Sequence, residues 1–248
     1  MSRYTDTLTT EVRLERMRPE EVETAKAAQP AIYVAFGSIE WHGYHNPVGL
    51  DALKAHEQLV GLAARVGGVV YPPVFFGAGG GHTAWPSSFM VSAEPMIQLV
   101  TELLRGFERD GYCQAILISG HYPNHTEYLD AAKDAYTEAG GTMDVLALIE
   151  NEVPGGQGDH AAKYETSYML HLLPELVDLD RLHAGPEHDL TGPEEVINWM
   201  TPEYEGHANY GLVGIDPRAH ASAEVGREET ERLLAHLAAW VIGEAHPQ

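Results

Sequence analysis

The chain has 248 residues, 44% of them hydrophobic, enough for one sizeable α/β core as a single domain over 1–248. Its 15 basic and 37 acidic residues give a formal net charge of −22, which argues against nucleic acid or an anionic membrane as partner, because phosphate binding calls for a basic surface. The N-terminus has no apolar signal core, no stretch approaches the ~20 apolar residues of a membrane span, and the lone Cys113 cannot form an intrachain disulfide, so a cytoplasmic protein is expected.

Residues 1–29 read as a polar lead-in, with helical pieces over 6–16 and 19–28. Residues 31–36 are continuously apolar and predict a buried strand. The loop that follows, 37–51, delivers Glu40, His42, His45 and Asp51 in quick succession. Carboxylates and imidazoles this dense, just past a strand end, are the donor set of a divalent metal site. Glu40 and His42 are two residues apart, so on extended backbone both point the same way, roughly 7 Å apart. Pro47 and Gly49 favour a turn that brings Asp51 back to close the site.

Apolar residues at helical spacing predict a helix over 50–66. A strand is expected over 69–76 despite Pro72 and Pro73. The glycine-rich loop 77–82 lacks a phosphate-binding lysine and reads as a place of close backbone approach, ending at His82. A helix over 94–110 has Ser92 as its expected N-cap. A strand over 114–119 runs into His121 and Tyr122, and Asn124 is the expected cap of a helix over 125–139, stopped by Gly140 and Gly141. A strand over 143–149, a loop containing Asp159 and His160, and a helix over 165–173 come next. Residues 174–221 resist assignment, and 222–242 form an amphipathic helix. Alternating strands and helices predict a three-layer α/β/α sandwich with a mostly parallel central sheet. In such sheets ligands sit at the carboxyl ends of the strands, where Glu40, His42, His82, His121 and His160 all fall.

The run GSIEWHGYHNPVGLD at 37–51 resembles the creatininase (creatinine amidohydrolase) family pattern GSxEQHGPHLPLGTD. Further segments agree in order: 77–88 with the family's glycine–His–aromatic–Pro–Gly–Thr loop, 119–124 with NGHxxN, and 160–167 with HAGxxETS. Residues 211–225 echo a C-terminal stretch more weakly. The resemblance spans about residues 30–242. It implies a homo-oligomer, often a hexamer, acting on a small-molecule substrate. It also implies a two-metal centre of zinc, or alternatively manganese or iron, with cations roughly 3.5–4 Å apart.

Carried over by position, the ligands would be Glu40, His42, Asp51, His121 and Glu165, with Asp51 bridging. A shared water, deprotonated near neutral pH, would attack a carbonyl carbon, and His160 would pass a proton to the leaving nitrogen. The chain departs from the pattern at Ser119 (Asn), Ala162 (Gly), and Ser87 and Ser88 (Gly and Thr). Pro123 stands where creatininase itself carries a ligand glutamate, and the resemblance to other branches of the family implies that Glu165 would supply the second carboxylate. These changes bear on substrate more than on metal chemistry.

The expected function is a metal-dependent amidohydrolase cleaving a non-peptide or cyclic amide C–N bond. A deformylase or lactone hydrolase using the same chemistry is one alternative, and a non-catalytic metal- or ligand-binding protein is another. For the ligand set the competing reading is a hydrogen-bonded cluster capping a loop. For Glu165 it is a helix N-terminal acid favoured by the dipole. His45 reads as a support for the loop, and His82 as either a substrate contact or a loop support. Tyr122, Trp85 and Trp199 either line the pocket or pack in the core. The other histidines, among them His183, His188 and His246, read as ordinary surface or core residues.

Overall fold

All six residues of β1 (Ala31–Phe36) are buried. An apolar run without alternation belongs in the middle of a parallel sheet covered on both faces. The computed structural model, which describes residues 4–182 and 194–243, places it there. The sheet order is β2 (Val69–Val74), β1, β3 (Gln114–Ser119), β4 (Asp144–Ile149), and every pairing is parallel. Pro72 and Pro73 are accommodated because β2 is an edge strand. The strand ends at Val74, two residues earlier than expected.

The two faces of β1 pack against different helices. Ala31, Tyr33 and Ala35 meet Leu59 and Leu62 of α2 (Leu50–Val66) and Leu233 and Leu237 of α7 (Ala223–Val241). Ile32, Val34 and Phe36 meet Val100 and Leu104 of α3 (Ala93–Arg109) and Ala132 and Tyr136 of α4 (Asp130–Glu138). The three-layer α/β/α sandwich with a parallel central sheet is therefore borne out. α1 (Pro19–Ala28) lies outside edge strand β2, and α5 (Lys163–Leu172) packs on α7. Among the described residues no helix is long and apolar enough to cross a membrane.

Two local expectations are corrected. The helix expected over 125–139 opens as a π turn, His125–Leu129, before α4 begins. Asn124 does not cap it. Its Oδ1 accepts the Ala78 N–H at 2.9 Å, and its Nδ2 donates to Gly37 O and Ser119 Oγ at 3.2 and 3.1 Å. A buried amide with three loop partners is better satisfied there than at one helix end. Ser92 holds the N-cap position of α3 without a side-chain bond. The described part of 174–221 contains an antiparallel pair, β5 (Ile197–Asn198) and β6 (Val213–Gly214), and a short helix, α6 (Pro217–His220). His183, His188 and His246 lie outside the described residues.

Candidate metal centre

Three strand ends and two helix starts converge. Glu40 and His42 follow β1, His82 follows β2 and His121 follows β3. Asp51 and Glu165 sit in the first turns of α2 and α5, where the helix dipole favours a carboxylate. His160 is fixed by backbone pairing with Val213 of β6. Asp51 comes this close to the sheet because residue 120 is glycine: a Cβ there would stand 2.2 Å from Asp51 O.

Asp51 presents its two oxygens to two different histidines. Oδ1 lies 3.0 Å from His42 Nε2, and Oδ2 lies 3.4 Å from His121 Nδ1. Ser38 Oγ donates to Oδ2 at 2.7 Å and fixes the carboxylate's rotation. On the His42 side, Glu165 Oε2 is 3.6 Å from Nε2. On the His121 side, Glu40 Oε2 is 2.8 Å from Nδ1, while Glu40 Oε1 faces His82 Nδ1 at 2.9 Å. The rings are anchored from behind, since His42 Nδ1 donates to Glu40 O at 3.0 Å and His121 Nε2 to Ala78 O at 3.2 Å. With the outward proton fixed by these backbone bonds, loss of the inward proton leaves each inward nitrogen a lone pair facing the site, the tautomer a metal ligand needs.

Nine-tenths or more of the surface of Glu40, His42, Asp51, His121 and Glu165 is buried. His42 Nε2 nevertheless makes no contact of hydrogen-bond geometry, its 3.0 Å approach to Asp51 Oδ1 included. A buried, orphaned imidazole nitrogen flanked by two carboxylates fits a cation better than a closed hydrogen-bond cluster. Three overlapping triads have ligating atoms within 4.8 Å of one another: Glu40 with Asp51 and His121, His42 with His160 and Glu165, and Glu40 with His82 and His160.

Without a cation, protons do the neutralising. Burial pushes the His42 and His121 imidazoles down, but Asp51 and the neighbouring glutamates outweigh it, raising them to about 9 and about 10. Burial likewise raises the Glu40 and Asp51 carboxyls, and the adjacent histidines reverse this and hold both well below the carboxylate range.

Tyr122 lines the cavity of about 270 Å³ at these residues, together with His82 and His160. Trp85 lies one step outward, its ring 6.0 Å from that of His82. Trp199 is a core residue packed with Ala161 and Leu212. His45 ties the loop to α5 through Thr166 Oγ1 at 2.8 Å. The larger cavity of about 790 Å³, between the N-terminal segment, α1 and α2, holds none of these triads.

Three supporting residues escaped the sequence reading. Ser38 was legible in hindsight, two positions from Glu40 on extended backbone. Asp159 accepts the N–H groups of Tyr164 and Glu165 at 2.8 and 3.0 Å and caps α5. Lys54, fully buried on α2, lies 2.6 Å from Glu165 Oε1 and 2.9 Å from Glu150 Oε2. Glu165 also accepts the Ala161 N–H at 2.6 Å, so it combines a helix-start role with its place facing His42.

The departures from the family pattern have local consequences. Ser119 Oγ donates to His121 O at 2.7 Å and accepts from Asn124, which keeps the loop braced. Ser88 Oγ accepts the Trp41 N–H at 2.9 Å. Ser87 has φ of 59°, a left-handed conformation that suits the glycine of the pattern. Ser87→Gly is therefore expected to stabilise the protein by about 0.5–1 kcal/mol, net of the entropy glycine adds to the unfolded chain. Thermal unfolding reads this as a rise of roughly 1–4 °C, and a lowered midpoint would refute it.

A family model described as creatininase, creatinine amidohydrolase, matches residues 15–241. Over 229 residues the chain is 29% identical to a mycofactocin precursor peptide peptidase of Mycobacterium ulcerans, covering 86% of this chain and 87% of that one. It is 28% identical over 184 residues to the creatinine amidohydrolase of Pseudomonas putida, covering 64% and 71%. Among solved structures, a manganese creatininase superposes with a TM-score of 0.74 at 25% identity, covering 96% of this chain and all of that one. A creatininase variant of Zn–Zn type superposes at 0.75 and 23% identity, with the same coverage.

Proposed function

The chain belongs to the creatininase family, and from that premise we propose that it is a dinuclear metal-dependent hydrolase cleaving a non-peptide or cyclic amide C–N bond. The observation that carries this reading is Asp51, whose two oxygens face two separate histidine–glutamate pairs, His42 with Glu165 and His121 with Glu40. Those five residues would hold two divalent cations, zinc or manganese. When bound, such cations supply Lewis-acid polarisation of a carbonyl and bring the pKa of water towards neutrality.

The chain's own groups do the rest. Ser38, Ala78 O and Glu40 O keep the ligands in one tautomer and one orientation. His160 places its Nε2 proton on Trp41 O at 3.0 Å, which leaves Nδ1 to take a proton from the attacking water and return it to the leaving nitrogen. Self-association fits the exposed apolar side chains of Phe76 and Phe89, at 56% and 68%.

Loading the metal-free protein with zinc or manganese tests the site. His42 and His121 are protonated below about 9 and about 10, so cation uptake must expel both protons. Apparent affinity then rises with pH, by up to about two log units per pH unit below 9 for the pair, and flattens above 10. In the metal-free protein the sign for stability is opposite. Both folded values lie above the ordinary 6.5, so the contribution to folding is complete below about 6.5 and is lost as pH rises through 9 and 10. Calorimetry in buffers of different ionisation enthalpy counts the protons, and uptake with none released would remove the site. A panel of cyclic amides, formamides, lactones and short peptides then fixes the bond cleaved, and no turnover across it by metal-loaded protein would leave a binding role.

A further inference from the structure

Outside the polar cavity lies a second one of about 420 Å³, and Gly81 lines both. No charged side chain borders the outer cavity among the described residues. Its walls are the rings of Trp41, Tyr44, Trp85 and Tyr210, with Met200 at one side. Trp41 stacks on Trp85 with centroids 6.0 Å apart and planes 26° apart, Tyr44 meets Trp41 edge-on at 4.8 Å, and Tyr210 leans on Trp85 at 4.4 Å. The ladder continues inward, since Trp85 is 6.0 Å from His82 and His82 stacks on His160 at 3.8 Å. A continuous aromatic path thus leads from open solvent, where Tyr44 is 59% exposed, to the histidine assigned the proton transfer.

The wall is held in place by its own anchors. Gly211 has φ of 96°, and a Cβ there would stand 2.7 Å from Trp41 Nε1 and 2.9 Å from Trp85 Cζ3. Both indoles therefore close over a backbone that only glycine leaves room for. Gly211 O accepts from His82 Nε2 at 3.0 Å, and Trp41 Nε1–H points to Tyr210 O at 3.4 Å. One loop thereby fixes the aromatic wall and the inner histidine together. Trp41 and Tyr44 also stand where the family pattern carries glutamine and proline, so half of the four-ring wall belongs to this chain and not to the pattern.

We infer that the outer cavity is a subsite for a planar aromatic group, joined by a short spacer to the amide that occupies the inner cavity. This rests on the amidohydrolase reading for the scissile end only. A small cyclic amide would fill the inner cavity and leave the outer one to water. Uncharged ring walls with a flexible thioether beside them gain from offset or edge-on stacking with an aryl ring. A quaternary ammonium is the other occupant that such rings recognise, and the titration separates it from an aryl ring.

The test uses the full chain labelled with 5-fluorotryptophan. The chain has four tryptophans, of which Trp199 and Trp240 are buried in the core and serve as internal controls. Titration with N-benzylacetamide is expected to shift the fluorine signals of Trp41 and Trp85 and leave the other two in place. It should bind about tenfold more tightly than N-methylacetamide or N-cyclohexylmethylacetamide. In Trp41→Leu, and in the surface change Tyr44→Ala, the benzyl-to-methyl affinity ratio should fall toward one. Equal ratios in the unmodified protein, silent Trp41 and Trp85 signals, or a response to tetramethylammonium alone would each overturn the subsite. The readout needs no turnover. Hydrolysis of small amides with silent tryptophans removes the subsite and keeps the reaction, whereas responsive tryptophans without hydrolysis of any amide keep the subsite and remove the reaction.

Discussion

Asp51→Asn is expected to lower metal content from about two ions per chain to at most one, and to bring hydrolysis down to background. The substitution keeps the shape of the side chain and its place in the first turn of α2. It removes the charge that both histidines share and turns one of two acceptors into a donor aimed at an imidazole nitrogen. Oδ1 and Oδ2 face His42 and His121 at 3.0 and 3.4 Å, so neither half of the site survives intact. In the metal-free variant the His42 and His121 imidazoles lose one of the carboxylates that raise them, Glu165 and Glu40 remaining, so both values fall. Their protons leave at lower pH, and proton release on adding zinc shrinks accordingly. Elemental analysis beside activity separates loss of metal from loss of fold, with circular dichroism as the check on the latter. Cys113→Ala is the control, because Cys113 is exposed at the opposite, amino end of β3 and should keep both metal and activity. Two ions per chain and full activity in Asp51→Asn would end the dinuclear reading.

The parts of this site that the sequence discloses are those written in consecutive residues. The 37–51 loop puts Glu40, His42 and Asp51 within twelve positions, and the continuous apolar run before it can only be an interior strand. His121 was legible because a second such run, 114–119, ends just before it. What stayed hidden depends on pairs distant in the chain. A lysine on an amphipathic helix ordinarily reads as a surface residue with a buried stem, and nothing near Lys54 announces Glu165, 111 residues away. Asn124 read as a helix cap because local competition favours that role, yet its amide serves loops 46 and 87 residues distant. The stretch 174–221 lacks periodicity because its described part works through single contacts. His160 pairs with Val213, and Gly211 seats two indoles. Neither leaves a hydrophobic pattern to read.

The same distant pairing makes Lys54→Met the most informative change outside the proposed ligands. Lys54 Nζ is wholly buried between Glu165 and Glu150, with the rings of Tyr122 and Tyr168 at 5.2 and 5.7 Å. Burial disfavours its charge, but the two carboxylates outweigh this and hold the ammonium protonated well above its ordinary range. Methionine fits the space and leaves two buried carboxyls facing each other without a cation. Breaking a buried pair in this way costs about 3–5 kcal/mol, a drop of roughly 6–20 °C in the unfolding midpoint. Burial already pushes the Glu150 carboxyl up to about 7 in the intact protein. Its folded value lies above the ordinary 4.5, and losing Lys54 raises it further, so its penalty is absent below 4.5 and grows as pH rises from there, and Lys54→Met should regain stability on acidification. Adding Glu150→Gln removes the surplus carboxylate and should restore much of the lost stability at neutral pH. It should not restore metal affinity, which falls about 10–100-fold when the partner that orients a ligand is lost, because Glu165 still lacks its brace. A double variant that recovers both would make Lys54 a purely structural residue. One that recovers stability alone assigns it the positioning of Glu165.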